Sequence, residues 1–225
     1  MDEGLAAVVD GAVAEVVVGE TALGELAVPA GMHGRQVIPG DGPLAEGAVF
    51  AVAGGDANLG LGGRGVLAHE QRQAAHQEAG FGGALKNVSI GIASSNGKRW
   101  IHSAGVTKDK WVETPQDAFL ESMAEADEAV ISHMHGKMMY LNVMNRLSVD
   151  CDCLPSPTEP DMHDIGVLSS LDPVALDQAC VDLIHTAPDG ASVTERIASL
   201  HGEHILEYAE ELGIGSRAYR LTVLD

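Results

Sequence analysis

"DIGVLSSLDPVALDQACVDLIH", residues 164–185, reads as a short strand that turns directly into a helix, and this pairing decides the fold class. Residues 164–170 carry Ile, Val and Leu ahead of a polar turn, a run of strand length. Asp172 then stands where a helix N-cap accepts backbone N–H groups, and Pro173 takes the first helical position, which needs no N–H donor. Val174, Val181 and Ile184 follow along one helical face.

Working outward, the same alternation recurs. "KMMYLNVMNRLS" (137–148) is a second strand, preceded by "TPQDAFLESMAEADEAVISHMHG" (114–136). In the latter, Thr114 reads as N-cap and Pro115 as the first helical residue, with Ala118, Phe119, Met123, Ala126, Val130 and Ile131 at helical spacing over about five turns. "NVSIGIAS" (87–94) reads as a buried strand ending in a turn at Asn96, Gly97 and Lys98. "SVTERIASLHGEHILEYAEELGIGS" (192–216) gives two short helices or one kinked at Gly202, ending at Gly213 and Gly215, and "AYRLTVLD" (218–225) is a closing strand. Strands alternating with helices predict an α/β fold for residues 80–225, a mostly parallel sheet with helices on both faces.

Composition narrows the function classes. The chain has 225 residues and a formal charge of −20, from 13 Lys and Arg against 33 Asp and Glu, which argues against a wide basic face for nucleic acid. No apolar run approaches the roughly eighteen residues that span a bilayer, and Met-Asp-Glu-Gly lacks the positive region of a secretory signal. The expectation is a cytoplasmic protein with no membrane partner. Three cysteines fit reduced thiols or metal ligands better than a disulfide framework.

Residues 1–85 contain no Ser, Lys, Cys, Tyr or Trp, yet hold 18 of the 27 glycines. From Lys86 onward usage is ordinary, which sets a boundary near Gly80. The Val-rich pieces "AVAEVVVGE" (12–20), "GELAVPAG" (24–31), "RQVIPGDGP" (35–43) and "AVFAVAGG" (48–55) read as short strands between Gly and Pro turns. Dense glycine raises the entropy of ordering, so residues 1–79 are expected to be β-leaning and poorly specified or disordered. A reading-frame or start-site artefact accounts for the same composition, and both readings stand open.

The chemical candidates cluster in "DCDCLPSPTEPDMHDIG" (150–166). Cys151 and Cys153 lie two apart, so an extended backbone puts both thiols on one face. Structural zinc favours wider spacing and four ligands, and three cysteines cannot complete a four-cysteine iron–sulfur cluster. Asp150, Asp152, Glu159, Asp161 and Asp164 could bind a hard cation through oxygen but match no calcium-loop spacing; a solvated loop held extended by prolines is the bland reading. Cys180, among apolar neighbours, reads as a small hydrophobe, and Asp177 and Asp182 as carboxylates that only face water. His133 and His135 suit a helix C-terminus, while His201 and His204 share a face without a third ligand. "GFGGALKNVSIGIASSNGK" fails the Walker spacing, but Lys86 on a Gly-rich turn could meet an anionic substrate, and His102 follows the strand 87–94 at the end where α/β sheets place ligands.

Taken in order, "GFGGALKN", "GIASSNGK", "IHSAG", "YLNVMN", "SVDCDC", "DIGVLSSLDPVALDQACVDLI" and "ELGIGS" resemble the carboxyl-terminal half of the prokaryotic family called domain of unknown function 362, over about residues 80–225. Many members carry an inserted two-cluster ferredoxin segment and are described as iron–sulfur proteins. Here "HSAG" passes to "VTKDKWVETPQDAF" without any Cys-x-x-Cys run, so the cluster does not follow from the insert. The resemblance carries over Lys86, His102, Asp150, Cys151, Asp152, Cys153, Asp164, Asp172 and Asp177 as motif positions, while residues 1–79 do not resemble the family's amino-terminal half.

The expectation is a redox or metal-dependent enzyme on a small molecule. Lys86 and His102 are the catalytic candidates, and Cys151, Cys153, Asp150, Asp152 and Asp164 the ligands of a divalent metal or iron–sulfur cluster. The competing class is a non-catalytic interaction module or an inactive fragment. A homo-oligomer that completes a shared site with Cys180 or His163 is a third reading.

Overall fold

The computed structural model describes residues 14–19, 49–53, 66–69, 79–112, 114–134, 138–145, 147–150 and 158–224. In chain order the elements are strands β1 (Ala14–Gly19), β2 (Val49–Ala53) and β3 (Val66–His69), helix α1 (Ala84–Lys86) running into a π-helical turn (Asn87–Gly91), and helices α2 (Ser95–His102) and α3 (Gln116–Met134). Strands β4 (Met138–Met144) and β5 (Gly166–Ser170) follow, then helices α4 (Pro173–Thr186), α5 (Ala191–Ser199) and α6 (His204–Glu211), and finally β6 (Tyr219–Leu224).

β4 shows why these residues make a half-buried strand. Met138, Tyr140, Asn142 and Met144 are buried and the alternate positions only partly so, the period of two that a pleated backbone imposes. β5 lies beside it antiparallel, with Tyr140 opposite Ser170 and Met144 opposite Gly166. β1 pairs antiparallel with the other edge of β5, and β6 runs parallel to β1. On the far side of β4 the sheet continues through β2 and β3 in parallel, giving the order β3-β2-β4-β5-β1-β6. β5 alone opposes its neighbours, so the sheet is mixed rather than mostly parallel. The reason is local: β4 and β5 join as a hairpin, which needs no helical crossover.

α4 lies on the face that carries Tyr140 and Asn142, and the alternate positions Met139, Leu141 and Val143 are half-buried. Burial along β4 is therefore one-sided among the described residues, and the expected cover of both faces is not seen among them. The core fills the space between this face and the helices, with Leu85, Leu120, Met123, Leu168, Leu176, Ile184, Ile197 and Leu206 closed to solvent. β1 and β2 coincide with two of the Val-rich pieces, whereas residues 24–31 and 35–43 lie outside the described residues.

Residues 84–92 depart from the strand reading. Val88, Ile90 and Ile92 fit a period of two, but Ala84, Val88 and Ile92 fit a period of four equally well, and packing selects the helix. Ala84, Leu85 and Val88 are all buried. The Asn87 amide donates to the Gly83 carbonyl at 3.0 Å and the Ser89 hydroxyl to the Leu85 carbonyl at 2.9 Å, bonds that serve a coiled backbone. The expected turn at residues 96–98 falls inside α2, whose N-cap Ser94 accepts from the Gly97 N–H at 3.1 Å. α3 begins at Gln116, and Thr114 turns away from its expected capping role to donate to the His102 carbonyl at 2.8 Å.

The break at Gly202 is real, and it has a steric cause. Gly80 has φ +73°, and a Cβ there would lie 2.8 Å from the Gly202 Cα, while one on Gly202 would meet the Gly80 backbone at 3.1 Å, so two backbones cross at close range. Beyond the break, His201 and His204 do not share a metal-facing surface. They reach Asp117 (3.0 Å) and Glu121 (3.1 Å) on α3 and so tie α6 to it. No helix among the described residues is long and apolar enough to cross a membrane.

Asp172 caps α4 as the sequence requires, accepting from Val174 and Ala175 N–H at 2.9 and 3.0 Å, while its second oxygen takes the Ser216 N–H at 2.9 Å. One carboxylate thus fixes the start of α4 and the approach to β6. Asp172→Ala should lower unfolding free energy by about 2 kcal/mol, the upper end for a lost cap, read as a lower urea midpoint at unchanged slope.

Candidate functional site

The buried polar centre of the molecule forms around Asp177, in the second turn of α4. The side chain is 1% exposed, so the reading that it faces water is corrected. Its oxygens accept from the Ala84 N–H (2.7 Å), the Leu85 N–H (3.0 Å) and the Asn142 Nδ2 (2.7 Å). Gly83 offers no side-chain cap to α1, and this distant carboxylate supplies one instead. A Cβ on Gly83 would fall 2.2 Å from Asp177 Oδ1, so glycine is what lets the backbone come this close. Asp182, one turn on, is half-buried and accepts from Gln178 and Tyr219 at 2.9 and 2.7 Å.

Asn142 also donates to Cys180 Sγ at 3.2 Å. Burial and the neighbouring Asp177 push the Cys180 thiol up, which keeps it protonated and fits the packing role read from the sequence. A second buried acid, Asp127 on α3, was not singled out by the sequence. Both of its oxygens, and Asn142 Oδ1, lack a partner in hydrogen-bond geometry among the described residues. Burial first, and then Asp177, raise the Asp127 carboxyl well above its ordinary range; the Ser89 N–H and hydroxyl oppose the shift only in part. The Ser89 hydroxyl is already committed to the Leu85 carbonyl.

Lys86 ends α1 beside this centre and is 7% exposed, far from the surface lysine that a turn position would give. Asn142 lies two residues before the end of β4, or about 7 Å along a strand, so the Asp177 bonds bring the turn carrying Lys86 to the carboxyl end of that strand. At that end begins the connection from β4 to β5, residues 145–165, twenty-one in all. Hairpins of adjacent strands usually need two to five residues, so this connection is far longer than joining them requires.

The candidate ligands lie in this loop. Cys151, Asp152 and Cys153 lie outside the described residues, as does His135. Asp150 accepts from the Thr158 hydroxyl and from its N–H at 3.0 Å, with Arg196 at 3.9 Å, and the Thr158 bonds hold its carboxyl below the usual range. Asp164 accepts from Asn145 at 3.1 Å across the base of the loop. Among the described residues no group of three His, Cys, Asp or Glu side chains could hold a metal ion, so Asp150 and Asp164 do not form a site by themselves.

His102 occupies the last position of α2, not a strand end. Its ring packs edge-on against Trp111 (4.8 Å) and tilted against Phe119 (4.9 Å), and Nδ1 lies 2.6 Å from the Lys98 carbonyl. Lys86 thus follows directly on the two residues whose N–H groups bind Asp177, Asp150 and Asp164 each make their own bonds along the β4–β5 connection, and His102 packs in an aromatic layer between α2 and α3.

Residues 74–182 match the model of the family described as Domain of unknown function (DUF362), which bears out the resemblance carried by the motifs from "GFGGALKN" to "DQACVDLI". Comparison with curated proteins and with solved structures finds no match.

Burial raises the Asp177 carboxyl from 3.8 to about 6 against the opposing pull of its three donors. The folded state then holds a proton that the unfolded state releases, so stability should fall as pH rises from about 4 through about 6, by on the order of 3 kcal/mol. Urea titrations across that range should show the fall, and Asp177→Asn should make it shallower, the raised Asp127 and Asp172 carboxyls keeping a remainder, even if the variant is less stable throughout.

Proposed function

We propose, on the premise of the family match over residues 74–182, that the chain is a small-molecule enzyme whose reaction centre lies at the carboxyl end of β4, between the turn bearing Lys86 and the long β4–β5 loop. The observation that supports this reading is incomplete compensation of buried ionisable groups in one place. Among the described residues both Asp127 oxygens and Asn142 Oδ1 lack a well-formed hydrogen bond, and Asp177 and Lys86 are buried as well. Each such atom costs roughly 1–3 kcal/mol in a fold, and proteins concentrate that cost where chemistry needs it.

In this reading Lys86 presents its ammonium to an anionic substrate, and the low surrounding polarity strengthens that pairing. His102 exchanges protons with the substrate if the layer holding it opens toward the centre. Cys151 and Cys153, with Asp150, Asp152 and Asp164, hold a divalent metal or an iron–sulfur cluster, which would supply Lewis-acid or electron-transfer chemistry. A cytoplasmic setting keeps the thiols reduced. The protein works without nucleic acid or membrane, and a homo-oligomer is one way to complete a site that has only three cysteines per chain.

A non-catalytic module is the second reading, and a specific observation favours it: His102 Nδ1 is engaged by a backbone carbonyl and its ring is packed against two aromatic rings, a structural arrangement. Elemental analysis of protein purified without oxygen separates the two. The enzyme reading expects about one equivalent of iron or zinc, lost in the variant carrying both Cys151→Ser and Cys153→Ser and retained in Lys86→Met. Metal below about a tenth of an equivalent, with the double serine variant unchanged in melting temperature, would sink that reading and leave the module.

A further inference from the structure

Residues 94–112, "SSNGKRWIHSAGVTKDKWV", form α2 and the loop that follows it. They hold four of the thirteen Lys and Arg and both tryptophans of the chain, with Asp109 the single acid, a local charge of +3. Since the whole chain stands at −20, the remainder stands at −23. The segment is a basic island on an acidic molecule.

Ile101 is buried, but three other apolar side chains face outward. Trp100 is 48% exposed, Trp111 59% and Val106 74%. Trp111 rests edge-on against the His102 ring, which in turn packs on Phe119 of α3, so its indole is braced from behind. Trp100 lies over Gly105, whose added Cβ would meet the indole at 3.9 Å. The Ser103 hydroxyl donates to the Thr107 carbonyl at 2.7 Å and accepts the Thr107 N–H at 2.9 Å, pinning the turn between the two indoles.

Among the described residues the cations are little compensated. Lys98, Arg99 and Lys110 make no ion pair among the described residues, and Lys108 pairs only with its neighbour Asp109 at 3.3 Å, an exposed contact of little energetic weight. Exposed tryptophans ringed by cations suit a protein interface, in which aromatic anchors supply affinity and charges supply steering.

We propose that residues 94–112 dock an acidic segment of a partner protein, its carboxylates on Lys98, Arg99, Lys108 and Lys110 and an apolar side chain against Trp100, Val106 and Trp111. The charge balance selects a short segment over an extended polyanion. Screening confines the attraction to about 8 Å, so a nucleic acid or an anionic bilayer reaching past the patch meets the acidic remainder. An acidic stretch of a few residues ends before it does.

Because Trp100 and Trp111 are the only tryptophans, fluorescence excited at the red edge, where the three tyrosines do not absorb, reads this patch alone. The probe is a tryptophan-free Glu-rich peptide of about twelve residues with two leucines, titrated at about 50 mM and about 500 mM salt. Expected are a blue shift in emission and binding at least about tenfold weaker at high salt. Lys98→Glu with Lys110→Glu should weaken binding about tenfold, measured by anisotropy of labelled peptide. Should that pair perturb the circular dichroism spectrum, Lys108→Gln with Lys110→Gln carries the same test on the loop alone. Unchanged emission at low salt, or affinity indifferent to charge removal, overturns the proposal. Equal or tighter binding of a twelve-nucleotide oligothymidylate, or of phosphatidylserine vesicles, overturns it in favour of that polyanion.

Discussion

A carboxylate taken out of water holds this molecule together. Asp177 is enclosed within α4, and its charge is supported by two backbone N–H groups of α1 and the amide of Asn142 on β4. Three elements distant in sequence therefore meet at one side chain. Dehydration works against the arrangement, as the raised Asp177 carboxyl records, and the charge-assisted hydrogen bonds work for it. Removing a single donor would leave a buried charge uncompensated, so the positions of α1, β4 and α4 are coupled more tightly than apolar contact alone would make them.

That coupling fixes where chemistry can occur. The Gly83 backbone can approach Asp177 because it lacks a side chain, and the approach carries Lys86 into the interior. The following π-helical turn widens the backbone beside Asp127, and such turns recur where a helix is adapted to a functional surface. β5 contributes in another way. Running against both neighbours, it makes β4 and β5 a hairpin and converts the residues between them into one long loop.

Much of the architecture was legible in the primary structure because the signals were local. Asp172 and Pro173 mark the start of α4, the apolar run of residues 138–144 marks β4, and Gly202 separates α5 from α6. The reading of residues 87–94 failed because Val88, Ile90 and Ile92 satisfy two periodicities at once. Only the groups that bury Val88 and bind Asn87 and Ser89 distinguish them. Strand direction was likewise hidden, since a long loop and a helical crossover look alike until the partner strand is known. Of the candidate site, Lys86 and Asp177 were recognisable as motif residues, but Asp127 was not. It occupies an unremarkable place in an acidic helix, and burial alone sets it apart from Glu125 and Glu128.

What the sequence determined by itself was therefore the α/β class, the caps and breaks of the later helices, the family match, and a charge that disfavours a broad polyanion surface. These depend on neighbours within a turn or two, or on composition summed along the chain. Tertiary structure decided the direction of β5, the helical state of residues 84–92, the burial of Asp127 and Asp177, and the packing of His102 against Trp111 and Phe119. Each of those depends on which distant group shares a volume with the residue, because dehydration and hydrogen-bond supply are properties of a place in space rather than of a position in the chain.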